Sequence, residues 1–388
     1  MNRKKLMALW SGAACLLLGS GMACASTPIT FAPQVDYSTF VNFTSGIGPG
    51  PAPESMVTAD VNNDGHPDII AVNWIGLGLT LSLGRGDGTF ASPQLINFPQ
   101  FLQSVDAADV NGDGKVDLIV TNAFQVFVLL GDGKGNFTQS WSAPLLTGAQ
   151  NVAFAADLNG DGKKDIVALT LGNLGGIQSF IGQGNGQFTT GPFTSLPGAL
   201  SAASLANFNN DGIPDLAVVN ASTIGFPLSR VYALLGDGKG GFNTVYSSAL
   251  AGIIAEDVAT ADLDGDGVDD IVTADSFSFT VSVILSNGKG GFGQASYYPG
   301  SIGPVSIALA DLNGDHNLDI IEAVVGTATV QVFPGLGGGR FGSPLQLPVV
   351  PFPQTPVIAD FNGDGKPDIA VSGPFEMGVL MNTSAYTP

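Results

Sequence analysis

Short apolar runs recur along the whole chain, and Gly, Asn or Asp residues separate them. Around the second repeat, for example, "VDAAD", "LIVTN" and "VFVLLG" follow one another with acidic or Gly-rich segments nearby. Runs of this length, rich in β-branched residues and bounded by turn formers, predict strands joined by hairpins. A fourth, more polar run follows a Gly-rich turn that ends in Phe, as in "GDGKGNF". The pattern therefore predicts four strands per unit.

Seven acidic nonapeptides of the form D-x-[DN]-x-[DN]-G-x-x-D mark seven such units, although the fourth begins with Asn and the sixth has His at the Gly position. They start at positions 60, 109, 157, 207, 262, 311 and 360, so successive starts lie 48 to 55 residues apart. A four-stranded unit repeated at this interval is the signature of a β-propeller blade. The sequence predicts an all-β fold, a seven-bladed β-propeller forming a single domain over residues 26–388.

The two ends of the chain are predicted to close the ring. The seventh unit stops after three strands and lacks the Gly-rich turn, whereas the N-terminal segment "ITFAPQVDYSTF" resembles fourth-strand segments such as "GTFASPQLINF". Phe31 would then match Phe90 and Phe341. The N-terminal strand is expected to complete the last blade, which removes an open sheet edge without a disulfide.

The first 25 residues have the layout of a secretory signal peptide. A basic start precedes a short apolar run and the small residues "ACAS", so cleavage after Ala25 fits the usual rule. The alternative is a lipoprotein cut before Cys24. Both cysteines, Cys15 and Cys24, lie in this segment, so the mature chain would be disulfide-free and secreted, extracellular or periplasmic. No later run is long and apolar enough to span a bilayer.

The charge of the chain points towards cations. The formal net charge is -20, and 22 of the 33 acidic residues lie in the seven nonapeptides, which we call the acidic loops. A chain this acidic is not expected to bind nucleic acid or an anionic membrane surface by charge.

Each acidic loop resembles a calcium site in the spacing of its oxygen-bearing side chains. Positions 1, 3 and 5 can converge if the backbone curls at the Gly of position 6, position 7 can offer its carbonyl, and position 9 supplies a last carboxylate. The alternative is that Asp, Asn and Gly serve only as turn residues. We expect up to seven Ca²⁺, with weaker binding in the loop that begins with Asn207. The sixth loop has His316 where Gly is expected, which is a strained position for a residue with a side chain.

The predicted metal residues, at positions 1, 3, 5, 7 and 9 of each loop, are Asp60, Asn62, Asp64, His66 and Asp68; Asp109, Asn111, Asp113, Lys115 and Asp117; Asp157, Asn159, Asp161, Lys163 and Asp165; Asn207, Asn209, Asp211, Ile213 and Asp215; Asp262, Asp264, Asp266, Val268 and Asp270; Asp311, Asn313, Asp315, Asn317 and Asp319; and Asp360, Asn362, Asp364, Lys366 and Asp368.

Little material for catalysis remains outside these loops. The only two histidines, His66 and His316, lie inside them, so Ser-His-Asp, Cys-His and His-rich zinc sites are not expected. Carboxylates outside the loops and turns are expected to be solvated loop residues or strand caps, and nothing pairs any two of them as a glycosidase requires. They are Asp36, Glu54, Asp106, Glu256, Asp257, Asp275, Glu322 and Glu376. No catalytic residue is predicted.

Aromatic residues beside Asn or Asp mark a candidate ligand face, opposite the acidic loops. A ring packs on the apolar face of a sugar or peptide while the amide or carboxylate supplies hydrogen bonds. The alternative is that these aromatic side chains pack between blades. The candidates are Asn73, Trp74, Asn122, Phe124, Asp275, Phe277, Phe375 and Glu376.

The tripeptide Arg85-Gly86-Asp87 could be a cell-attachment signal. It lies in "GRGDGTF", the first of six Gly-rich turns, and only this copy contains it. We interpret it as a chance combination on a repeated turn.

The acidic loop and the Gly-rich turn with Phe, recurring in order from about Phe31 to Asn382, resemble the FG-GAP/VCBS repeat family, which includes the propeller of integrin α subunits. The resemblance implies Ca²⁺ between the first and second strands, held by positions 1, 3, 5 and 9, but it does not fix a function. We expect an exported, monomeric, calcium-binding module for a surface glycan or protein. The alternatives are a carbohydrate-active enzyme, a lyase or hydrolase, and a structural cell-surface component.

Overall fold

The computed structural model describes residues 27–38, 55–72, 78–145, 151–170, 175–221, 229–249, 254–288, 291–373 and 376–386. These residues form 28 strands and one short 3₁₀ helix, Val325–Thr327. No helix among them is long and apolar enough to cross a membrane. The signal-peptide prediction, with Cys15 and Cys24, lies outside the described residues.

The strands form seven four-stranded antiparallel sheets, which are the blades. In blades one to four they are β2 (Met56–Ala59), β3 (Asp68–Val72), β4 (Leu79–Ser82) and β5 (Gln94–Ile96); β6 (Ser104–Ala108), β7 (Asp117–Thr121), β8 (Gln125–Gly131) and β9 (Phe137–Pro144); β10 (Asn151–Ala156), β11 (Asp165–Thr170), β12 (Gly176–Gly182) and β13 (Phe188–Ser195); and β14 (Ala199–Ala206), β15 (Asp215–Ala221), β16 (Arg230–Gly236) and β17 (Phe242–Ala249). In blades five to seven they are β18 (Ala255–Ala261), β19 (Asp270–Asp275), β20 (Thr280–Ile284) and β21 (Ser296–Pro299); β22 (Pro304–Ala310), β23 (Asp319–Val324), β24 (Thr329–Phe333) and β25 (Leu345–Pro348); and β26 (Pro356–Ala359), β27 (Asp368–Ser372), β28 (Glu376–Leu380) and β1 (Val35–Ser38).

The core consists of seven hydrophobic clusters, one in each seam between neighbouring blades. Alternate side chains of a strand point to opposite faces of its sheet, so a strand between two blades must be apolar on both faces. In β3, Ile70 and Val72 pack towards blade two, while Ile69 and Ala71 pack towards blade seven. This alternation explains why the second strand of each blade reads as one continuous apolar run.

The N-terminal strand completes the last blade, as the sequence predicts. β1 pairs antiparallel with β28, and Phe31 bridges Asn382 just as Phe90 bridges Gly84 in blade one. Tyr37 of β1 packs edge-on against Phe90, with ring centroids 5.3 Å apart, and its hydroxyl donates to the carbonyl of Gly88 at 3.0 Å. The N-terminal strand therefore also joins blade seven to blade one.

The direction of the inner strands divides the ring into two faces. The first strand of every blade lines the ring's axis and ends in an acidic loop, so all seven loops lie on one face, together with the Gly-rich turns. The connectors between blades and the loops between second and third strands lie at the other ends of these strands. We call this second surface the opposite face.

Candidate functional sites

The backbone of each acidic loop curls around the side chain at position 1, which is an Asp in six loops and Asn207 in the fourth. In the second loop, Asp109 Oδ1 accepts the N–H of Gly112 at 2.7 Å, and its Oδ2 accepts the N–H of Gly114 at 2.9 Å. Asn111 Oδ1 accepts the N–H of Asp113 at 2.8 Å. These bonds fold the backbone of the loop around the side chains of positions 1 and 3.

Two positions in the loop have left-handed backbone. Position 6 is the predicted Gly, and His316 takes it with a φ of 66°, which confirms the strain expected there. Position 4 is left-handed as well and is Gly or Asn in all seven loops, including Asn63 and Asn210. Our sequence pattern left position 4 free, although this choice of residues was a visible signal, since Gly and Asn tolerate that conformation best.

The fifth loop brings three carboxylates together most closely. Asp262, Asp264 and Asp270 each offer an oxygen, and the three oxygens lie within 4.8 Å of one another. Two oxygens on one Ca²⁺ at about 2.6 Å can be separated by no more than about 5.2 Å, so this donor set fits the ion. In the fourth loop Asn207 offers a single oxygen, which accepts the N–H of Asn210 at 2.8 Å.

The Asp at position 9 is fully buried in every loop. In the second loop, Asp117 Oδ2 accepts the N–H of Val110 at 3.0 Å, and its Oδ1 accepts the N–H of Gly131 at 2.8 Å. Gly131 ends the third strand and pairs with Phe137, the Phe of the Gly-rich turn. Position 9 therefore fastens the acidic loop to the end of the third strand, and the same pair of bonds recurs in all seven blades.

Burial and the neighbouring loop carboxylates raise the pKa of these position 9 groups. The pKa of Asp68, Asp270 and Asp368 rises to about 6, and that of Asp319 to about 7. The backbone N–H donors act in the opposite direction but do not cancel the effect of burial. A cation between the carboxylates would favour their charged forms.

The Gly-rich turns link neighbouring blades on the same face. Gly88 donates its N–H to the carbonyl of Phe361 in the acidic loop of blade seven, at 2.9 Å. Within the turn, Arg85 donates to the carbonyl of Phe90 at 2.8 Å, and Asp87 Oδ1 accepts the N–H of Thr89 at 2.9 Å. The side chains of Arg85 and Asp87 are thus both hydrogen-bonded within their own turn, as expected for residues that stabilise a tight turn.

The opposite face carries exposed aromatic and aliphatic side chains. Five of them are between 59% and 64% exposed: Phe101, Phe124, Phe277, Ile302 and Phe352. They lie in blade connectors or in loops between second and third strands, around the ring. Phe279 and Phe352 also have left-handed backbone, with φ of 57° and 52°, which is strained for a bulky residue. We call these six residues the apolar rim.

A cavity of about 440 Å³ lies at the axis, at the N-terminal ends of the inner strands, and therefore opens towards the opposite face. All seven blades line it, and ten of its eighteen lining residues have polar side chains, none of which is Lys, Arg or His. Asp106 and Asp257 in this lining accept backbone N–H groups of the next blade, from Ala155 at 2.9 Å and Ile307 at 3.0 Å. These two carboxylates hold blades together, and burial raises the pKa of each.

Several predicted members of the ligand face have other positions. Asn122 is buried, and its Oδ1 accepts the N–H groups of Phe124 and Gln125, both at 2.8 Å, so it shapes the loop. Asp275 is fully buried and does not contribute to the surface. Phe124 and Phe277 are exposed, so they do not pack between blades, and Glu376 is half-buried at the start of β28. Asn73, Trp74 and Phe375 lie outside the described residues.

The expectation that the remaining carboxylates are solvated is wrong for Asp275 and Glu322. Both are fully buried, in the second strands of blades five and six. Burial raises the pKa of Asp275 to about 6, and burial together with the charge of Asp275 raises the pKa of Glu322 to about 8. The sequence held a signal for Glu322, because it interrupts an apolar run, "DIIEAV", of the kind that is buried on both faces.

Solved propeller structures are similar to this chain over most of its length. A lectin from Agrocybe aegerita, described with specific recognition of non-reducing terminal N-acetylglucosamine, is 20% identical, with a TM-score of 0.54 over 87% of this chain and 86% of the lectin. BBS1N in complex with ARL6DN is 11% identical, with a TM-score of 0.60 over 90% and 98% of the two chains. A catalytically inactive virginiamycin B lyase from Staphylococcus aureus, with quinupristin, is 12% identical, with a TM-score of 0.56 over 91% and 99%. At these identities the likeness concerns the fold alone.

The repeats themselves identify the family. No curated protein matches this sequence. The FG-GAP-like repeat matches residues 60–120, 109–168, 157–218 and 207–273, and the FG-GAP repeat matches residues 352–387. These matches cover more than half of the chain, and each FG-GAP-like match runs from one acidic loop into the second strand of the following blade. The chain belongs to the FG-GAP repeat family.

Proposed function

We propose that this propeller is an exported binding module that recognises a surface glycan or protein through its opposite face. The observation that carries the proposal is the apolar rim around a polar cavity at the ring's axis. Isolated exposed apolar residues are ordinary, but large ones gathered on one face of a ring, two of them with strained backbone, are typical of a binding surface.

The chemistry of this face favours an uncharged or cationic ligand rich in hydroxyl or amide groups. The cavity offers Ser, Thr, Gln and carboxylate side chains, and no basic side chain lines it. Rings such as Phe124 and Phe277 can pack on the apolar faces of sugars, while the polar lining supplies hydrogen bonds. The similarity to a sugar-binding lectin agrees with this proposal.

The test is a glycan array and a panel of surface proteins, followed by affinity measurements on single variants. Phe124→Ala and Phe277→Ala should weaken binding at least several-fold, whereas Leu336→Ala is the control, because Leu336 is exposed in a Gly-rich turn on the acidic-loop face. Full affinity in both rim variants would place the ligand elsewhere. Cleavage of a polysaccharide would favour the alternative of a lyase or hydrolase.

We further propose that the acidic loops bind Ca²⁺ and stabilise the ring. Support comes from the curled oxygen ligands and from the three converging carboxylates of the fifth loop. Elemental analysis should find up to seven Ca²⁺ per chain that are lost when the acidic loops are substituted, and a chelator should lower the melting temperature markedly. An unchanged melting temperature in chelator, with no bound calcium, would contradict this proposal.

A further inference from the structure

The seam between blades five and six contains a group of buried oxygen atoms that accept no hydrogen bond. Glu322 of β23 and Gln331 of β24 stand directly opposite each other in the ladder, and both are fully buried. Both carboxylate oxygens of Glu322 and the Oε1 of Gln331 have no hydrogen-bond partner within the described part of the chain. Buried acceptors without donors are costly, so each requires an explanation.

These oxygens converge on one small space beside Gly300. A Cβ placed on Gly300 would lie 3.0 Å from Glu322 Oε2, 3.4 Å from Gln331 Oε1 and 3.5 Å from the carbonyl oxygen of Phe279. The amide nitrogen of Gln331 donates to Ser301 Oγ, which leaves its oxygen directed at this space. Acceptors from both blades therefore meet where the chain has no side chain.

The surroundings add negative charge and no positive charge. The charge of Asp275 raises the pKa of Glu322, although Asp275 is fully buried on the other face of the blade-five sheet, the face on which Ile271 packs against blade four. Its own carboxylate accepts hydrogen bonds from Thr273 at 2.9 Å, from Thr280 at 3.3 Å and from Ser282. No Lys, Arg or His among the described residues compensates either carboxyl.

We propose that this seam holds one Ca²⁺, bound by Glu322 and Gln331 beside Gly300. A single proton on Glu322 would satisfy one neighbouring acceptor and leave the other buried oxygens without a partner. A hard divalent cation satisfies several oxygens at once and balances the carboxylate of Glu322. The site is distinct from the seven acidic loops, since it lies inside the seam and its ligands come from second and third strands.

The proposed ion would fix the position of the apolar rim beside it. Gly300 donates its N–H to the carbonyl of Phe279 at 2.8 Å, and Phe277, Phe279 and Ile302 lie within three residues of the groups around the space. A cation there would tie the loop of blade five to the sheet of blade six. It would thereby connect calcium to the order of the ligand-binding face, independently of the acidic loops.

The test compares Glu322→Gln with the native protein after both are equilibrated with Ca²⁺ and freed of unbound metal. Glutamine keeps the shape and can donate to Gln331, so the fold should survive without the charge. We expect one Ca²⁺ fewer per chain by elemental analysis, while Glu376→Gln, the matched control in blade seven, keeps the native count. Gly300→Ala, which fills the space without altering charge, should also lose one ion.

Crystals containing Ca²⁺ give the second measurement. An anomalous peak within about 2.6 Å of a Glu322 oxygen is expected. An unchanged calcium count in both Glu322→Gln and Gly300→Ala, or no peak in the seam, would overturn the proposal in favour of a protonated Glu322. The acidic loops give their own peaks, so failure of this site and failure of the loops are distinguishable.

Discussion

The buried Asp at position 9 allows a sharp separation of structural and metal-binding roles within one loop. In Asp117→Ala, the N–H groups of Val110 and Gly131 lose their acceptor, and both bonds are buried. Each unsatisfied buried group costs about 1–3 kcal/mol, so the expected loss in unfolding free energy is about 2–6 kcal/mol. Removing a carboxylate whose burial raises its pKa offsets part of this loss, which favours the lower half of the range.

The matched control is Asp113→Ala in the same loop, because Asp113 is exposed and its main bond is to the N–H of Lys115 at 3.0 Å. With an unfolding entropy of about 2.1 cal/mol/K per residue, a chain of this size loses roughly 1 °C in melting temperature per kcal/mol. In chelator, Asp117→Ala should melt roughly 2–5 °C below the native protein, and Asp113→Ala should melt close to it.

The assay is thermal unfolding by circular dichroism, with calcium and with chelator. In calcium both variants should be destabilised, since both lose a proposed ligand. Equal melting temperatures for the two variants in chelator would refute the structural role assigned to position 9.

Three further predictions concern other parts of the ring. Deletion of the residues up to and including Ser38 should expose the edge of β28. Light scattering should then detect association, and the melting temperature should fall. A stable monomer would argue against closure of the ring by β1. In chelator, the raised pKa of Glu322 makes the free energy of unfolding depend on pH, because the folded protein holds this proton more tightly than the unfolded chain. This contribution is complete below the ordinary pKa of 4.5 and is lost as the pH rises towards about 8, by about 5 kcal/mol at most. The denaturant midpoint of Glu322→Gln should not decline with pH in this way. Identical pH profiles for the variant and the native protein would rule out this role of Glu322. His316→Gly should gain up to about 1 kcal/mol in urea unfolding, because relief of the left-handed backbone outweighs the added freedom of the unfolded chain; a clear loss would contradict the strain.

The fold could be predicted because every complete blade contains the same two turn motifs at the same places. The acidic loop gave the count of seven, and the Gly-rich turn with Phe gave the start of each outer strand. The closing strand could be predicted because the seventh unit lacks a fourth strand and the N-terminal segment supplies one. Phe31 accordingly occupies the bridge position that Phe90 has in blade one. Repetition made these local signals strong, since one ambiguous turn is resolved by six others.

The surface of the opposite face could not be predicted to the same depth. Asn122 looked like a ligand residue but shapes its loop, and Phe101 and Phe352 lie in connectors that differ from blade to blade. Exposure in such irregular segments depends on packing between neighbouring blades, which no repeat pattern encodes. The burial of Glu322, by contrast, could have been predicted from its place in a second strand, where every side chain faces a neighbouring blade, but we expected it to be solvated.

The two faces of the ring therefore have separable physical roles. On the acidic-loop face, every loop is hydrogen-bonded to its own third strand, and Gly-rich turns bond to the neighbouring loop, so substitutions there act on the stability of the whole ring. On the opposite face, the rim side chains are exposed and contribute little to the core, so substitutions there should alter binding and leave stability nearly unchanged. Glu322 is the exception, because it lies in the seam beneath the rim, so we expect a substitution there to alter both stability and binding. A variant at Glu322 that changed stability without changing ligand affinity would show that the seam and the rim are independent.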